Sequence, residues 1–252
     1  MSARTKLTLA YDGAPFHGWQ AQKNAPSVQK TVWEAVCAVT SENRTVTGCS
    51  RTDAGVHALQ YVCHTEEIRI PNERIPQALN AHLPPSISVK KAETVSESFH
   101  ARYSCIGKEY IYKIYNSRTR DPFSEGRALF YPEPIDVDAL SFVGKELVGK
   151  HDFRAFMAQG SKITDTVRTI RHCTLCRDGD FVTLSVCADG FLYNMVRILV
   201  GTYLDAARRG YREGDVTAII ESRDRKKAGF TAPPHGLYLN RVFYPGDIDA
   251  NS

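Results

Sequence analysis

Two residues of opposite charge, Arg51 and Asp53, lie in a stretch of mostly small residues that runs from Gly48 to Gln60, GCSRTDAGVHALQ. Small side chains let the backbone of another molecule come close, and Gly55 can supply a positive φ. Aspartate and glycine are also common turn residues. The segment is therefore either an ordinary turn or a loop that presents a carboxylate to a bound molecule.

A second unusual residue is Arg197, the only charged residue in the apolar segment FLYNMVRILVGTYL, residues 191–204. A guanidinium group in an apolar helix is costly unless a carboxylate or phosphate meets it. The side chain could also extend from a half-buried helix into solvent, or form a purely structural ion pair. Apolar neighbours favour a buried ion pair, whose acidic partner the spacing does not identify.

A third candidate is Tyr110 in the segment KEYIYKIY. On a strand, Tyr110, Tyr112 and Ile114 share one face. The ordinary interpretation is an aromatic core face. A tyrosine at the mouth of a site could instead stack on a nucleic-acid base.

The elements that must position Asp53 are predicted from hydropathy. Alternation in KLTLAY predicts a strand, and Ser27 is a plausible N-cap for the helix SVQKTVWEAVCAV, whose apolar residues recur at helical spacing. Three further strands and one helix follow in the first hundred residues: RTVTGCS, LQYVCHTE, then the helix NERIPQALNAHL, then ISVKKAETV. This β-α-β-β-α-β order predicts an α+β fold of the ferredoxin-like kind.

The remaining chain repeats a similar order of elements. The strand SCIGKEYIYKIYN, the helix VDALSFVGKELVG, a hairpin turning at Asp178-Gly179-Asp180, the long helix LYNMVRILVGTYLDAARRG, a short helix near Asp215 and the strand GLYLNRVFY follow one another. We therefore predict two ferredoxin-like (RRM-like) halves with antiparallel sheets, helices on one face and a central catalytic cleft between them. Residues 1–104 would carry Asp53, and residues 105–252 would carry Tyr110 and Arg197.

Composition limits the class of protein. The 252 residues are 42% hydrophobic and 24% charged, which is typical of a soluble globular protein. No apolar run approaches the roughly 20 residues that span a bilayer, and the start has no signal-peptide hydrophobic block. We expect a cytoplasmic protein.

The seven cysteines do not suggest a disulfide framework, because their number is odd and they are scattered. Cys173 and Cys176 form the one close pair, but residues three apart on a strand point to opposite faces. With no second pair along the chain, no metal site is expected.

The net charge of +4 permits a polyanionic partner without requiring one. Positive charge concentrates late in the chain, in AARRGYR (Arg208, Arg209, Arg212) and RDRKK (Arg223, Arg225, Lys226, Lys227). Each cluster alone is typical of a solvated helix end. Together with a catalytic motif, they become candidate phosphate contacts.

An ordered series of motifs resembles the tRNA pseudouridine synthase A (TruA) family. RTDAGVHA, residues 51–58, is similar to the signature of that family, and Ser50 stands where the family pattern usually has glycine. The other matching segments are YDGAPFHGWQAQ, SVQ, NAHLP, SFHARYS, KEYIYKIYN, HDFRAF, NMVRILVG and GLYL. The resemblance covers nearly the whole chain, from Lys6 to Tyr244.

The resemblance implies a role for each candidate residue. Asp53 would be the catalytic nucleophile, and Arg197 would be its ion-pair partner, which keeps it ionised. Tyr110 would stack on the target base and assist proton transfer. Arg51 would hold the opened RNA through a phosphate contact, and Leu237 would contribute to substrate binding.

The implied reaction is the isomerisation of uridine to pseudouridine at positions 38, 39 and 40 of the tRNA anticodon stem-loop. The uridine must leave its stack to be reached. The glycosidic bond then breaks, the base rotates and C5 rejoins C1′. Asp53 could attack C1′, add to C6 or deprotonate the ribose toward a glycal. No cofactor or metal is required, and the family acts as homodimers with one tRNA crossing both subunits.

Three other interpretations compete with this one. An aspartic protease needs two carboxylates that share a proton, and no second matching Asp-small-Gly segment is present. A non-catalytic RNA-binding protein would not require an aspartate held beside an arginine. A pseudouridine synthase for a different RNA would differ at surface positions that the sequence does not identify.

Overall fold

The computed structural model describes residues 3–161 and 163–247 and shows an α+β chain, as predicted. Two compact units are present. The first comprises Met1–Ile106 and Tyr238–Ser252, and the second comprises Gly107–Leu237. The last strand belongs to the first unit. The predicted division into residues 1–104 and 105–252 stays a prediction.

The first unit has the β-α-β-β-α-β order predicted for the first hundred residues. Its elements are β1 (Ala3–Tyr11), α1 (Val28–Thr40), β2 (Thr47–Gly48), β3 (His57–Glu66), α2 (Ile75–Asn80) and β4 (Ile87–Ser96). Strand β1 pairs antiparallel with both β3 and β4, and β2 pairs antiparallel with β3, so the strand order is β4-β1-β3-β2. The description of two ferredoxin-like halves stays a prediction.

The second unit contains most of the remaining elements. They are β5 (Gly107–Tyr115), β6 (Leu129–Phe130), α3 (Ser141–Leu147), β7 (Gly149–Asp152), β8 (Val167–Asp178), β9 (Phe181–Ala188), α4 (Met195–Arg209) and α5 (Asp215–Ser222). Short 3₁₀ helices cover Phe153–Phe156 and Pro234–Gly236. The strand order is β6-β5-β9-β8-β7, with β6 parallel to β5 and the other pairs antiparallel.

The last strand, β10 (Leu237–Phe243), returns to the first unit. Tyr238 and Leu239 pair in parallel with His57 and Ala58 at the start of β3. Since β2 pairs with the opposite end of β3, both ends of that strand have partners. The residues just before β3 include Asp53, so β10 fixes the strand that follows the candidate catalytic loop.

The core follows the predicted periodicities. The helix α1 buries Val28, Val32, Ala35 and Val36, and β5 buries Tyr110, Tyr112 and Ile114 on one face. No helix among the described residues is long and apolar enough to cross a membrane.

The cysteine pair on β8 follows the predicted strand geometry. Cys173 is buried and Cys176 is exposed, so the two thiols point to opposite faces of the strand. Within residues 3–161 and 163–247, no cluster of three His, Cys, Asp or Glu side chains could hold a metal ion.

Candidate active site

Asp53 lies in the loop between β2 and β3, as predicted, and its residue is half-buried. The amide of Val56 donates to the Asp53 carbonyl oxygen at 3.2 Å, which closes a β-turn. Gly55 occupies the third position of this turn with φ +76°, a conformation that favours glycine. The positive φ predicted for Gly55 is confirmed. Arg51 is exposed in the same loop.

The loop that follows β1 holds the Asp53 turn through backbone hydrogen bonds. The amide of Trp19 donates to the Thr52 carbonyl oxygen at 3.2 Å, and the amide of Gly55 donates to the Phe16 carbonyl oxygen at 3.2 Å. The two bonds flank Asp53 along the chain. The YDG…GWQ segment therefore supports the RTDAG segment in the fold.

Two glycines make this backbone contact possible. A Cβ atom added to Gly18, whose φ is +89°, would lie 2.3 Å from the Thr52 carbonyl oxygen. A Cβ atom added to Gly13 would lie 2.0 Å from the Val56 carbonyl oxygen. Both distances are far below van der Waals contact. Any larger residue at either position would push the Asp53 turn away from its support.

An aromatic cluster lies beneath the same loop. The rings of Trp19 and Tyr61 stack with centroids 4.1 Å apart, and the Tyr61 hydroxyl donates to the Ser50 carbonyl oxygen. Burial raises the pKa of Tyr61 well above 10.0, so this hydroxyl keeps its proton. The Tyr11 hydroxyl lies 2.9 Å from the Thr52 hydroxyl oxygen.

Ser50, which departs from the family pattern, does not have a positive φ. The backbone conformation there does not require glycine. The Ser50 carbonyl oxygen is instead held by Tyr61.

Sequence reasoning did not single out His57, although it lies inside the signature. This residue is 1% exposed. Its Nδ1 atom accepts a hydrogen bond from the Gly13 amide at 3.1 Å and lies 3.1 Å from Asp12 Oδ1. Its ring stacks on Tyr238 with centroids 4.6 Å apart. His57 therefore joins the supporting loop, the signature and β10.

In the second unit, Arg197 lies in the first turn of α4 and is half-buried. Its Nε atom donates to the Ala232 carbonyl oxygen at 2.6 Å, and its Nη1 atom donates to Asn194 Oδ1 at 2.8 Å. The Ala232 amide donates back to the Arg197 carbonyl oxygen at 3.1 Å. These neutral acceptors orient the guanidinium group. The predicted ion pair stays a prediction.

The Tyr112 hydroxyl lies close to this arginine and was not singled out by sequence reasoning. It donates to the Pro233 carbonyl oxygen at 2.8 Å. Burial raises the pKa of Tyr112, and the Arg197 charge opposes that shift. Because Arg197 contacts Ala232, the arginine and the tyrosine fix two consecutive residues of one segment.

Tyr110 and Leu237 adjoin these anchors along the chain. Tyr110 precedes Tyr112 by two residues on β5, is 7% exposed, and meets Phe191 edge to face with centroids 5.1 Å apart. Leu237 is buried. It follows Gly236, where an added Cβ atom would lie 2.7 Å from the Tyr112 ring. Thus Tyr110, Arg197 and Leu237 belong to the second unit, whereas Arg51 and Asp53 belong to the first.

Comparison with known proteins gives the family. The family model for tRNA pseudouridine synthase matches residues 8–104 and 144–245. The chain belongs to the tRNA pseudouridine synthase family. It is an isomerase that makes pseudouridine.

Several curated relatives match over almost their full length. The chain is 43% identical to tRNA pseudouridine synthase A of Thermoanaerobacter sp. (strain X514), with 94% of this chain and 98% of the relative covered. It is 43% identical to tRNA pseudouridine synthase A of Acetivibrio thermocellus, with 95% and 98% covered. It is 39% identical to tRNA pseudouridine synthase A 2 of Clostridium tetani, with 97% and 100% covered.

Proposed function

We propose that this tRNA pseudouridine synthase converts uridines at positions 38, 39 and 40 of the anticodon stem-loop, with Asp53 as the nucleophile. The observation that supports the proposal most directly is the construction of the Asp53 turn. Backbone bonds from residues 16 and 19 hold the turn from both sides. A carboxylate on an immobilised turn is positioned for attack before the substrate arrives, which removes part of the entropic barrier.

Arg197 is the ion-pair partner that keeps Asp53 ionised in this mechanism. A cation next to a carboxylate lowers the carboxyl pKa, and a nucleophilic carboxylate must be deprotonated. The bonds from Arg197 to Ala232 and Asn194 support the role because they fix the direction of the guanidinium group. Such preorganised charge needs no rearrangement during the reaction.

The other candidate residues bind the flipped nucleotide. Tyr110 stacks on the target base and assists proton transfer. Its edge-to-face contact with Phe191 supports the stacking role because it fixes the ring plane. Arg51 is exposed on the Asp53 loop, where it contacts a phosphate of the opened RNA, and Leu237 packs against the bound nucleotide. The reaction takes place in the cytoplasm, on tRNA held by a homodimer, and requires no cofactor.

The experiment is tritium release from tRNA transcripts labelled at uridine C5, with wild type and Asp53→Asn in parallel. The proposal expects release by wild type from transcripts with uridine at position 38, 39 or 40, and none by the isosteric variant. A filter-binding assay run alongside shows whether the variant still binds tRNA. Release by Asp53→Asn at the wild-type rate would remove Asp53 from the mechanism.

Transcripts that carry uridine at only one of the three positions test the assigned positions independently of the isomerase activity. Release from other uridines of the same tRNA, with none from the anticodon stem-loop, would overturn the assigned positions and leave the isomerase activity intact. Tyr110→Phe keeps the stacking ring and removes the hydroxyl. A lower rate with an unchanged KM would assign the hydroxyl to proton transfer.

A further inference from the structure

Several basic residues of the two late clusters pair with carboxylates of the same chain. Arg208 and Arg209 both pair with Asp205, at 3.1 and 3.7 Å. Arg223 pairs with Asp152 at 3.1 Å. Two carboxylates of the same unit therefore offset part of the charge of these three arginines.

The guanidinium group of Arg225 is held by neutral acceptors. Its Nη1 atom donates to the Gly229 carbonyl oxygen at 2.8 Å and to the Ala228 carbonyl oxygen at 3.3 Å. Its Nη2 atom donates to Thr231 Oγ1 at 3.1 Å. The guanidinium group therefore folds into its own segment and orders it, from residue 225 to residue 231.

Lys226 and Lys227 are left exposed beside this ordered segment. Among residues 3–161 and 163–247, neither ammonium group has a carboxylate within 4.0 Å. The nearest acid along the chain is Asp224, whose Oδ1 atom accepts from the Lys226 amide at 2.9 Å. Two adjacent lysines on an ordered segment thus present their charge to solvent.

The same segment is fixed against α4, the helix that carries Arg197. A Cβ atom added to Gly201 would lie 1.9 Å from the Phe230 carbonyl oxygen, and one added to Gly229 would lie 2.2 Å from Gly201. The Gly229 amide donates to Thr202 Oγ1 at 2.9 Å. One helical turn earlier, Arg197 is bonded to Ala232.

We infer that Lys226 and Lys227 form a phosphate-binding site for the RNA strand that carries the target uridine. The inference rests on the proposed function, since it takes Arg197 to mark the position of that uridine. Five residues of chain from Lys227 to Ala232 span at most about 18 Å, so the lysines lie within reach of phosphates near the target nucleotide. Ammonium groups without internal partners are suited to this contact, because binding releases counterions from the RNA.

The test compares Lys226→Gln/Lys227→Gln with a matched control, Lys90→Gln/Lys91→Gln. Lys90 and Lys91 are also adjacent and exposed, but they lie on β4 in the first unit, where Lys91 Nζ pairs with Glu93 Oε1 at 2.8 Å. Both double variants remove two positive charges from the surface. Affinity for an isolated anticodon stem-loop RNA is measured over a series of salt concentrations, together with the single-turnover rate at saturating RNA.

The expected result is a loss of affinity of about tenfold for the Lys226/Lys227 variant, equivalent to about 1.4 kcal/mol. The slope of log Kd against log salt should fall by roughly 1.5 to 2, because two phosphate contacts are lost. The single-turnover rate at saturating RNA should stay at the wild-type value. The control variant should keep the wild-type affinity, salt dependence and rate.

An unchanged affinity would overturn the inference, and so would an equal loss in the control, which would indicate a general effect of net charge. A loss seen with whole tRNA but not with the isolated stem-loop would place the contact away from the target and also overturn it. Failure of the proposed function would be distinct, since the wild type would then release no tritium from this RNA.

Discussion

Asn194 and Arg197 form a pair across the first turn of α4, with Asn194 Oδ1 2.8 Å from Arg197 Nη1. Asn194 has φ +59°, in the left-handed region, and its side chain makes no capping hydrogen bond to the helix. The Asn194 carboxamide therefore accepts a hydrogen bond from Arg197 and does not cap the helix. Asparagine suits this position because it tolerates the left-handed conformation and supplies an acceptor.

The two properties of Asn194 can be separated by substitution. Asn194→Gly keeps the backbone conformation and removes the acceptor, so we expect kcat to fall about tenfold with little change in KM or thermal midpoint. A hydrogen bond to a charged group contributes about 1.5–3 kcal/mol, which is consistent with this loss. Asn194→Ala should lose the same activity and also about 1 kcal/mol of stability through φ strain. A Gly variant with full kcat would show that Asn194 does not position Arg197.

Gly18 can be tested for the support it gives to the Asp53 turn. Gly18→Ala adds both strain at φ +89° and a clash with the Thr52 carbonyl oxygen. Gly160→Ala is the matched control, since Gly160 has φ +83° and nothing within 4 Å of an added Cβ. We expect the control to lose only about 1 kcal/mol of stability and to keep its activity. Gly18→Ala should lose more stability, and its initial rate should fall at least about tenfold.

Glu146 of α3 caps α5 from a distance. Its Oε1 atom accepts from the Gly214 amide and its Oε2 atom accepts from the Thr217 amide, both at 2.7 Å. Gly214 is the N-cap residue and has no side chain to do this itself. Glu146→Ala should reduce stability by about 1 kcal/mol and speed amide exchange in α5. Glu146→Gln should show a smaller effect, because one amide oxygen remains. Equal exchange in all three proteins would contradict the capping role.

The stability of the first unit should depend on the protonation of His64. Burial lowers the pKa of His64 from 6.5 to about 4, and Arg4 and His100 add to the effect. The unfolded chain therefore binds a proton at this residue below pH 6.5, whereas the folded chain does so only near pH 4. Stability is fully present above pH 6.5 and is lost as the pH falls from 6.5 to 4.

The variant His64→Asn should show a weaker loss of stability over that range of pH. Asparagine does not titrate and can still accept from the Ala101 amide, which now donates to His64 Nδ1 at 3.1 Å. At about 1.4 kcal/mol per pKa unit, the difference should approach roughly 3 kcal/mol near pH 4. His82→Asn, at an exposed position, is the control and should follow the wild type. Parallel curves for wild type and His64→Asn would refute the assignment.

Local signals in the sequence predicted many elements, and tertiary contacts decided where they end. The helix α1 begins at Val28, directly after the predicted N-cap Ser27, but the Ser27 side chain makes no capping bond. The predicted helix NERIPQALNAHL shrinks to Ile75–Asn80. There the Asn80 side chain forms hydrogen bonds with both the amide and the carbonyl group of Val89 on β4, at 2.8 and 3.0 Å. The sequence around Asn80 does not predict this contact.

In the candidate site, the sequence also predicted unusual side chains without predicting their backbone contacts. Arg197 stood out because a charge in an apolar run demands a partner. Its observed acceptors include the carbonyl oxygen of Ala232, 35 residues away. Every residue has a backbone carbonyl, so the residue type at position 232 could not identify this acceptor. The strand RTVTGCS is reduced to Thr47–Gly48, because the chain turns away to build the Asp53 loop. The sequence therefore singled out candidate side chains, whereas the backbone contacts that hold them became visible only in the fold.

The stacking of Trp19 on Tyr61 gives the protein an internal optical reporter. Indole emission responds to the immediate surroundings of the ring, and Trp19 is only 2% exposed. Its backbone amide donates to the Thr52 carbonyl oxygen, and its ring stacks on Tyr61, whose hydroxyl donates to the Ser50 carbonyl oxygen. The chain has two tryptophans, so Trp33→Phe would leave Trp19 as the sole indole chromophore. Its fluorescence would then report displacement of the Asp53 loop in real time, with no label attached.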